Sequence, residues 1–218
     1  MARTSEVHAP DLPELVPVEL IEVDADEELT ISGALIDGDG LGAIVARRID
    51  IKESELRGLT IAAAKMPGLQ LSDVILRDCD LSNVRGRGGA MTRVEIQHSR
   101  FVGFDISEGR ADDLRISNTS MTLVSFARAG LQSVVFDGVN LAEASFMDAR
   151  MNSVAFVNCN LAGADFRGAK IKSCAIRGSS LDGVLGIESL RGLTMPWPDL
   201  LESAGALAAA VGIKVEET

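Results

Sequence analysis

The sequence predicts an all-β solenoid closed at its carboxyl end by an α-helical cap, and three observations carry that reading. The first is a five-residue beat. Taking every fifth residue from Leu71 to Leu181 gives 23 positions, of which 22 are apolar and only Gly86 is not. The second lies two residues before each of these centres, where 18 of 23 positions are apolar and mostly small, as at Val74, Cys79, Ala144 and Ala164. With 46% hydrophobic residues overall, chance would place about eleven in each phase. Neither the helical period of 3.6 nor the strand period of 2 accounts for this spacing, which is that of an internal repeat. The third is that the beat stops after Val184 and a helix signal follows it.

Residues 1–28 are read as an acidic amino-terminal segment, a tail or an edge strand. They hold Pro10, Pro13 and Pro17 and nine acidic residues against Arg3 alone. The apolar stretch Leu15–Val23 is able to add an edge strand to the first coil, and the first few residues, with His8, are expected to form a disordered tail.

Residues 29–185 are read as the solenoid. Each unit points two side chains inward, at the centre and two before it. The position two after the centre is often Gly, Asp, Asn or Ser, residues that accept turn dihedrals at low cost. Segment and turn, repeated, wind the chain into coils whose interior is filled by stacked side chains. The beat is already in phase at Ile31, Ile36, Leu41, Ile51, Leu56, Ile61 and Met66, which sets the start near Leu29. Inward Gly86, Gly89 and Gly109 with the large Phe104 read as compensating volumes, and the run Arg85–Ala90 reads as a local kink or bulge.

From Val139 the chain reads VNLAE ASFMD ARMNS VAFVN CNLAG ADFRG AKIKS CAIRG SSLDG, and CDLSN occurs at Cys79–Asn83. This tandem pattern resembles the pentapeptide-repeat family. The resemblance implies a right-handed quadrilateral β-helix with four pentapeptides to a coil, so that centres twenty residues apart stack. Phe126, Phe146 and Phe166 are then expected in one column, Phe136 and Phe156 in a second, and Leu141, Leu161 and Leu181 in a third.

Residues 186–218 are read as helix, cap and dimerisation element. Pro196 and Pro198 mark the helix entry, Asp199 suits its first turn, and Gly212 supplies a stop. Leu200, Leu201, Ala204, Leu207, Ala208 and Val211 form one apolar face. Ala206, Ala209 and Ala210 leave little polar surface opposite, which points to burial against a second chain. The tail resembles that of fluoroquinolone-resistance members of the family, and this resemblance implies a homodimer.

The formal net charge is −11. Residues 1–28 contribute −8, residues 29–184 carry 18 basic and 18 acidic residues, and residues 185–218 contribute −3. The solenoid wall is therefore neutral, and direct nucleic-acid binding is not expected. Arg47, Arg48, Lys65, Arg85 and Arg87 gather in the early coils as a possible basic patch for an anionic partner. Cys79, Cys159 and Cys174 fall at inward positions and read as small hydrophobes. With no signal peptide and no apolar run of membrane-spanning length, the expectation is a cytoplasmic protein without a membrane partner. No catalytic, cofactor or metal constellation emerges: Gly38–Gly42 reads as repeat corners, and His8 and His98 stand apart. The reading is a non-enzymatic protein–protein interaction scaffold, cofactor-free, whose partner is unknown. The alternative, implied by the resemblance, is a DNA-mimic modulator of DNA gyrase or a related type II topoisomerase.

Overall fold

A centre residue that must be buried every five positions needs a chain that turns every five positions, and the backbone does so. The computed structural model describes residues 6–18, 28–38, 48–61 and 64–214. At every described position two after a centre, from Glu53 to Gly183, φ is positive, so the chain turns a corner there. Five residues per corner and twenty per coil make a four-sided solenoid. Asp, Asn and Gly carry many of these corners, as their side chains allow. Leu123, at φ 60°, is the residue least suited to its corner.

The strands are β1 (Val16–Pro17), β2 (Glu28–Ser32), β3 (Ala34–Asp37), β4 (Arg48–Arg57), β5 (Gln70–Arg77), β6 (Ala90–Gln97), β7 (Arg110–Ser117), β8 (Gly130–Asp137), β9 (Arg150–Val157), β10 (Lys170–Lys172) and β11 (Ala175–Arg177). All are parallel, in the order β1-β3-β4-β5-β6-β7-β8-β9-β10, with β2 beside β4 and β11 beside β9. From β2 onward each ladder joins residues twenty apart, as in Leu71↔Met91 and Phe136↔Phe156. The strands cover two sides of each coil. The other two are held by single bridges such as Asp80↔Arg100 and Asp105↔Ser125. Tight turns close them, as where Phe104 N–H donates to Phe101 O at 3.1 Å.

Inside, the centre and i−2 side chains form one continuous core. The rings of Phe126 and Phe146 stack at 5.4 Å, those of Phe146 and Phe166 at 4.8 Å, and those of Phe136 and Phe156 at 5.1 Å. Edge-to-face contacts, such as Phe146 on Phe156 at 5.6 Å, lock the two columns together. Leu141, Leu161 and Leu181 are each 1% exposed or less. Three of the i−2 positions that are not apolar, Ser99, Thr119 and Ser179, are buried hydroxyls with partners on both sides. Each donates to the carbonyl two residues before it and accepts the N–H of the residue twenty before it, as Ser99 does for Cys79 at 3.1 Å. That double satisfaction removes the cost of burying them.

The run Arg85–Ala90 does not kink, which corrects the expectation from sequence. Gly86 donates to Asp105 O at 2.7 Å, Gly88 to Ser107 O at 2.9 Å, and Ala90 accepts its place by donating to Leu69 O at 2.8 Å, so the register is unbroken. The glycines serve packing instead of bending. A Cβ on Gly89 would lie 2.7 Å from Leu69 O, and one on Gly109 would lie 2.5 Å from Gly89 O. One on Gly86 would touch Phe104 Cζ at 3.7 Å.

The carboxyl end differs from the single apolar-faced helix expected. Two short helices, α1 (Trp197–Glu202) and α2 (Ala204–Ala210), follow a 3-10 turn at Ile187–Ser189 and are divided at Ser203. The reason is the last coil's open backbone. In earlier coils an N–H such as that of Asn158 donates to the next coil, to Arg177 O at 2.8 Å. Gly178 N–H instead meets Asp199 Oδ2 at 2.7 Å, and Leu181 N–H meets Ser203 Oγ at 3.2 Å. Asp199 is 8% exposed and Ser203 is fully buried. Polar side chains therefore face the coil, and several apolar ones turn outward.

Candidate functional site

With a filled core, function falls to the wall and the two ends. Several of the wall's charges pair with one another. Arg93 donates from Nε and Nη2 to both carboxylate oxygens of Asp73, at 2.6 and 2.5 Å. Arg100 sits 3.7 Å from Asp80. Glu108 accepts from Arg87 at 2.7 Å on one oxygen and from Arg128 at 2.6 Å on the other. Glu55 holds Arg57 and Arg77, and Asp165 holds Arg167. Asp73–Arg93, Asp80–Arg100 and Glu108–Arg128 are each separated by twenty residues. The coil length alone brings them together, a signal present in the sequence once the period is known.

The contacts of Glu55, Asp73, Glu108 and Asp165 hold these carboxylates below their ordinary range. Arg93 does this for Asp73, Arg57 chiefly for Glu55, and Arg167 for Asp165, in each case against the opposing effect of burial. The exposed Glu108 is lowered by Arg87 and Arg128.

The amino-terminal segment, expected as a tail or an edge strand, lies along this wall. β1 pairs with β3 through Val16↔Ala34. Upstream, Asp11 N–H donates to Asp73 Oδ1 at 3.1 Å, and His8 Nδ1 meets Asp113 Oδ2 at 3.0 Å. Asp73, Arg93 and Asp113 occupy one corner column, so residues 8–11 cross two coils in an extended run. Three residues span about 10 Å and two coils rise about 9.6 Å, which is why the fit is possible. Sequence inspection gave no signal for this contact beyond the prolines that keep the segment extended.

The proposed interface residues separate. Leu207 packs partly against the core, and Leu200 and Ala208 are half-buried. Ala204 is exposed, with Leu201 at 58% and Val211 at 72%, joined by Trp197 at 69% and Ile213 at 61%. Of the possible basic patch, Arg47 lies outside the described residues. Arg48 opens β4, and Lys65 and Arg85 are bridged neighbours on successive coils. Arg87 is already paired with Glu108, so it does not contribute free charge to a patch. Cys79, Cys159 and Cys174 are buried free thiols. Burial pushes Cys159 up to about 11 and raises Cys79 and Cys174, which leaves them protonated and poorly nucleophilic. Among the described residues no three His, Cys, Asp or Glu side chains are grouped to hold a metal ion, and no helix is long and apolar enough to cross a membrane.

Residues 113–185 match the model of the pentapeptide repeat region. No curated protein matches the sequence. Among solved structures, a trypsin-treated form of QnrB1, a plasmid-mediated fluoroquinolone resistance protein, is 20% identical over 93% of this chain and 99% of its own, with a TM-score of 0.47. HetL, a pentapeptide repeat protein involved in heterocyst differentiation regulation from the cyanobacterium Nostoc sp. strain PCC 7120, is 16% identical over 87% of this chain and 92% of its own, with a TM-score of 0.46.

Proposed function

Because this chain is a pentapeptide-repeat protein, with the matched repeats at 113–185, we propose that it acts as a rigid, non-enzymatic scaffold that docks a protein partner. The observation that carries this reading is the wall. Its acidic residues at Glu55, Asp73, Asp80, Glu108 and Asp165 are each neutralised by an arginine. A mimic of duplex DNA requires continuous unneutralised acidic rows, because the phosphate backbone dominates what DNA-binding proteins recognise. The scaffold reading therefore stands ahead of the topoisomerase reading. The three buried thiols suit a reducing compartment, and we place the protein in the cytoplasm.

We also propose a homodimer through the carboxyl cap, with Trp197, Leu201, Val211 and Ile213 as its apolar surface in place of the half-buried Leu200, Leu207 and Ala208. The exposure of these large apolar side chains, all carried by residues 197–213, supports that reading. Sedimentation equilibrium is expected to return a dimer for the wild-type chain and a monomer for Leu201→Glu.

A supercoiling assay with DNA gyrase, run with and without a fluoroquinolone, tests the function. The expected result is unchanged supercoiling and unchanged drug sensitivity at micromolar folded protein. Inhibition or drug protection would overturn the scaffold reading in favour of topoisomerase binding.

A further inference from the structure

A groove of about 660 Å³ runs across successive coils over a floor of small residues that includes Gly89, Gly109 and Gly130. Its lining holds four basic and two acidic residues, a net charge of +2 on a chain of −11. Both acids are already engaged. Asp112 accepts from Arg110 at 2.6 Å, and Glu108 is shared between Arg87 and Arg128. At the other end Arg150, Lys170 and Lys172 are exposed, and among the described residues none of their charged side-chain groups has a hydrogen-bond or ion-pair partner.

Arg150 and Lys170 are in register on adjacent strands, so two like charges lie directly opposite each other. That arrangement is destabilising unless an anion offsets it. Lysines on an edge strand also discourage pairing between copies, but that role does not call for Arg150 stacked beneath them.

The backbone at this point is open as well. β10 ends the sheet and pairs only with β9. Lys170 N–H turns back to Ala149 O at 2.8 Å, so the N–H and C=O of Ile171 point to the open edge. The following chain turns aside at Leu190–Leu193 and rejoins the ladder at Thr194, which donates to Cys174 O at 3.0 Å. Ile171 is accordingly half-buried, whereas Ala111, Leu131 and Met151 in the same column are 2% exposed or less.

We propose that this edge accepts an extended peptide from a partner protein with the pattern acidic–apolar–acidic. Such a strand would add to β10. Its two acidic side chains, about 6.8 Å apart, would match Lys170 and Lys172 at the same spacing, and the residue between them would cover Ile171. A nucleic acid fits less well, because a chain of net charge −11 repels a long polyanion. The inference rests on the scaffold reading and names its partner class.

The test is fluorescence anisotropy with a labelled Glu-Val-Glu-Val-Glu peptide and the full chain. Saturable binding is expected, weakened about tenfold or more in the Lys170→Gln/Lys172→Gln variant, whose thermal midpoint is expected to be no lower than that of the wild-type chain. Hydrogen exchange at the Ile171 amide is expected to slow when the peptide is bound. Equal binding by the variant, unchanged exchange at Ile171, or tighter binding of a single-stranded oligonucleotide would each overturn the proposal. Binding that survives N-methylation of the peptide backbone would overturn strand addition. Failure here leaves the scaffold reading intact, whereas gyrase inhibition overturns that reading and leaves this binding measurement standing.

Discussion

Phe146 concentrates the energetics of single residues. It is fully buried, stacked on Phe126 and Phe166, and edge-on to Phe136 and Phe156. Its replacement by alanine opens a cavity that the coils above and below cannot close without moving the ladder. Phe146→Ala is expected to cost about 3–5 kcal/mol in urea unfolding; a loss below about 1 kcal/mol would show that the column contributes little packing. Leu123 is the opposite case. A leucine at φ 60° with more than half its surface exposed is strained and buries little. Leu123→Asn is expected to raise stability by about 1 kcal/mol, because asparagine tolerates the left-handed region. No gain in the urea midpoint would mean that the corner is not strained.

At the scale of elements, the carboxyl cap works through hydrogen bonds. Asp199 and Ser203 stand in for the coil that does not follow, and removing either leaves a buried N–H unpaired. Asp199→Ala and Ser203→Ala are each expected to lower stability by about 1–3 kcal/mol. Faster amide exchange at Gly178 and Leu181 respectively is the accompanying signature, and unchanged exchange would refute the capping role. The helix was legible in the sequence from Pro196 to Gly212, but its orientation was not. An apolar face predicts contact with the core only when the receiving surface is apolar, and the end of a coil is a row of polar backbone. The amino-terminal segment was harder still, since His8–Asp113 and Asp11–Asp73 are contacts over 105 and 62 residues. The glycine run misled for a related reason. Glycine signals both bending and close approach, and only the neighbouring coil, with Leu69 O and Phe104 against it, distinguishes the two.

For the whole molecule, the paired wall couples stability to pH. Asp73, Glu55 and Asp165 have lowered values in the folded state. A depressed carboxylate contributes stability that is fully present above its unfolded value of about 4 and is lost as pH falls through the folded value. The urea midpoint is therefore expected to be flat near neutrality and to fall below about pH 4. Asp73→Asn should flatten the acid limb, because it removes both the Arg93 pair and the charge that receives Asp11 N–H. An unchanged acid limb would show that exposure and salt screen the pair to insignificance.

The amino-acid sequence by itself determined the period, the inward set of side chains and the place where the beat ends, while the twenty-residue coil came from its resemblance to the pentapeptide repeats. These follow from residue type at fixed spacing, because burial in a solenoid repeats identically along the chain. Only the tertiary structure decided where residues 8–11 lie, that the cap meets the last coil with Asp199 and Ser203, and that Lys170 and Lys172 stand on an open edge beside Arg150. Those outcomes depend on groups distant in sequence meeting at one point in space, and on which backbone groups the last coil leaves unpaired.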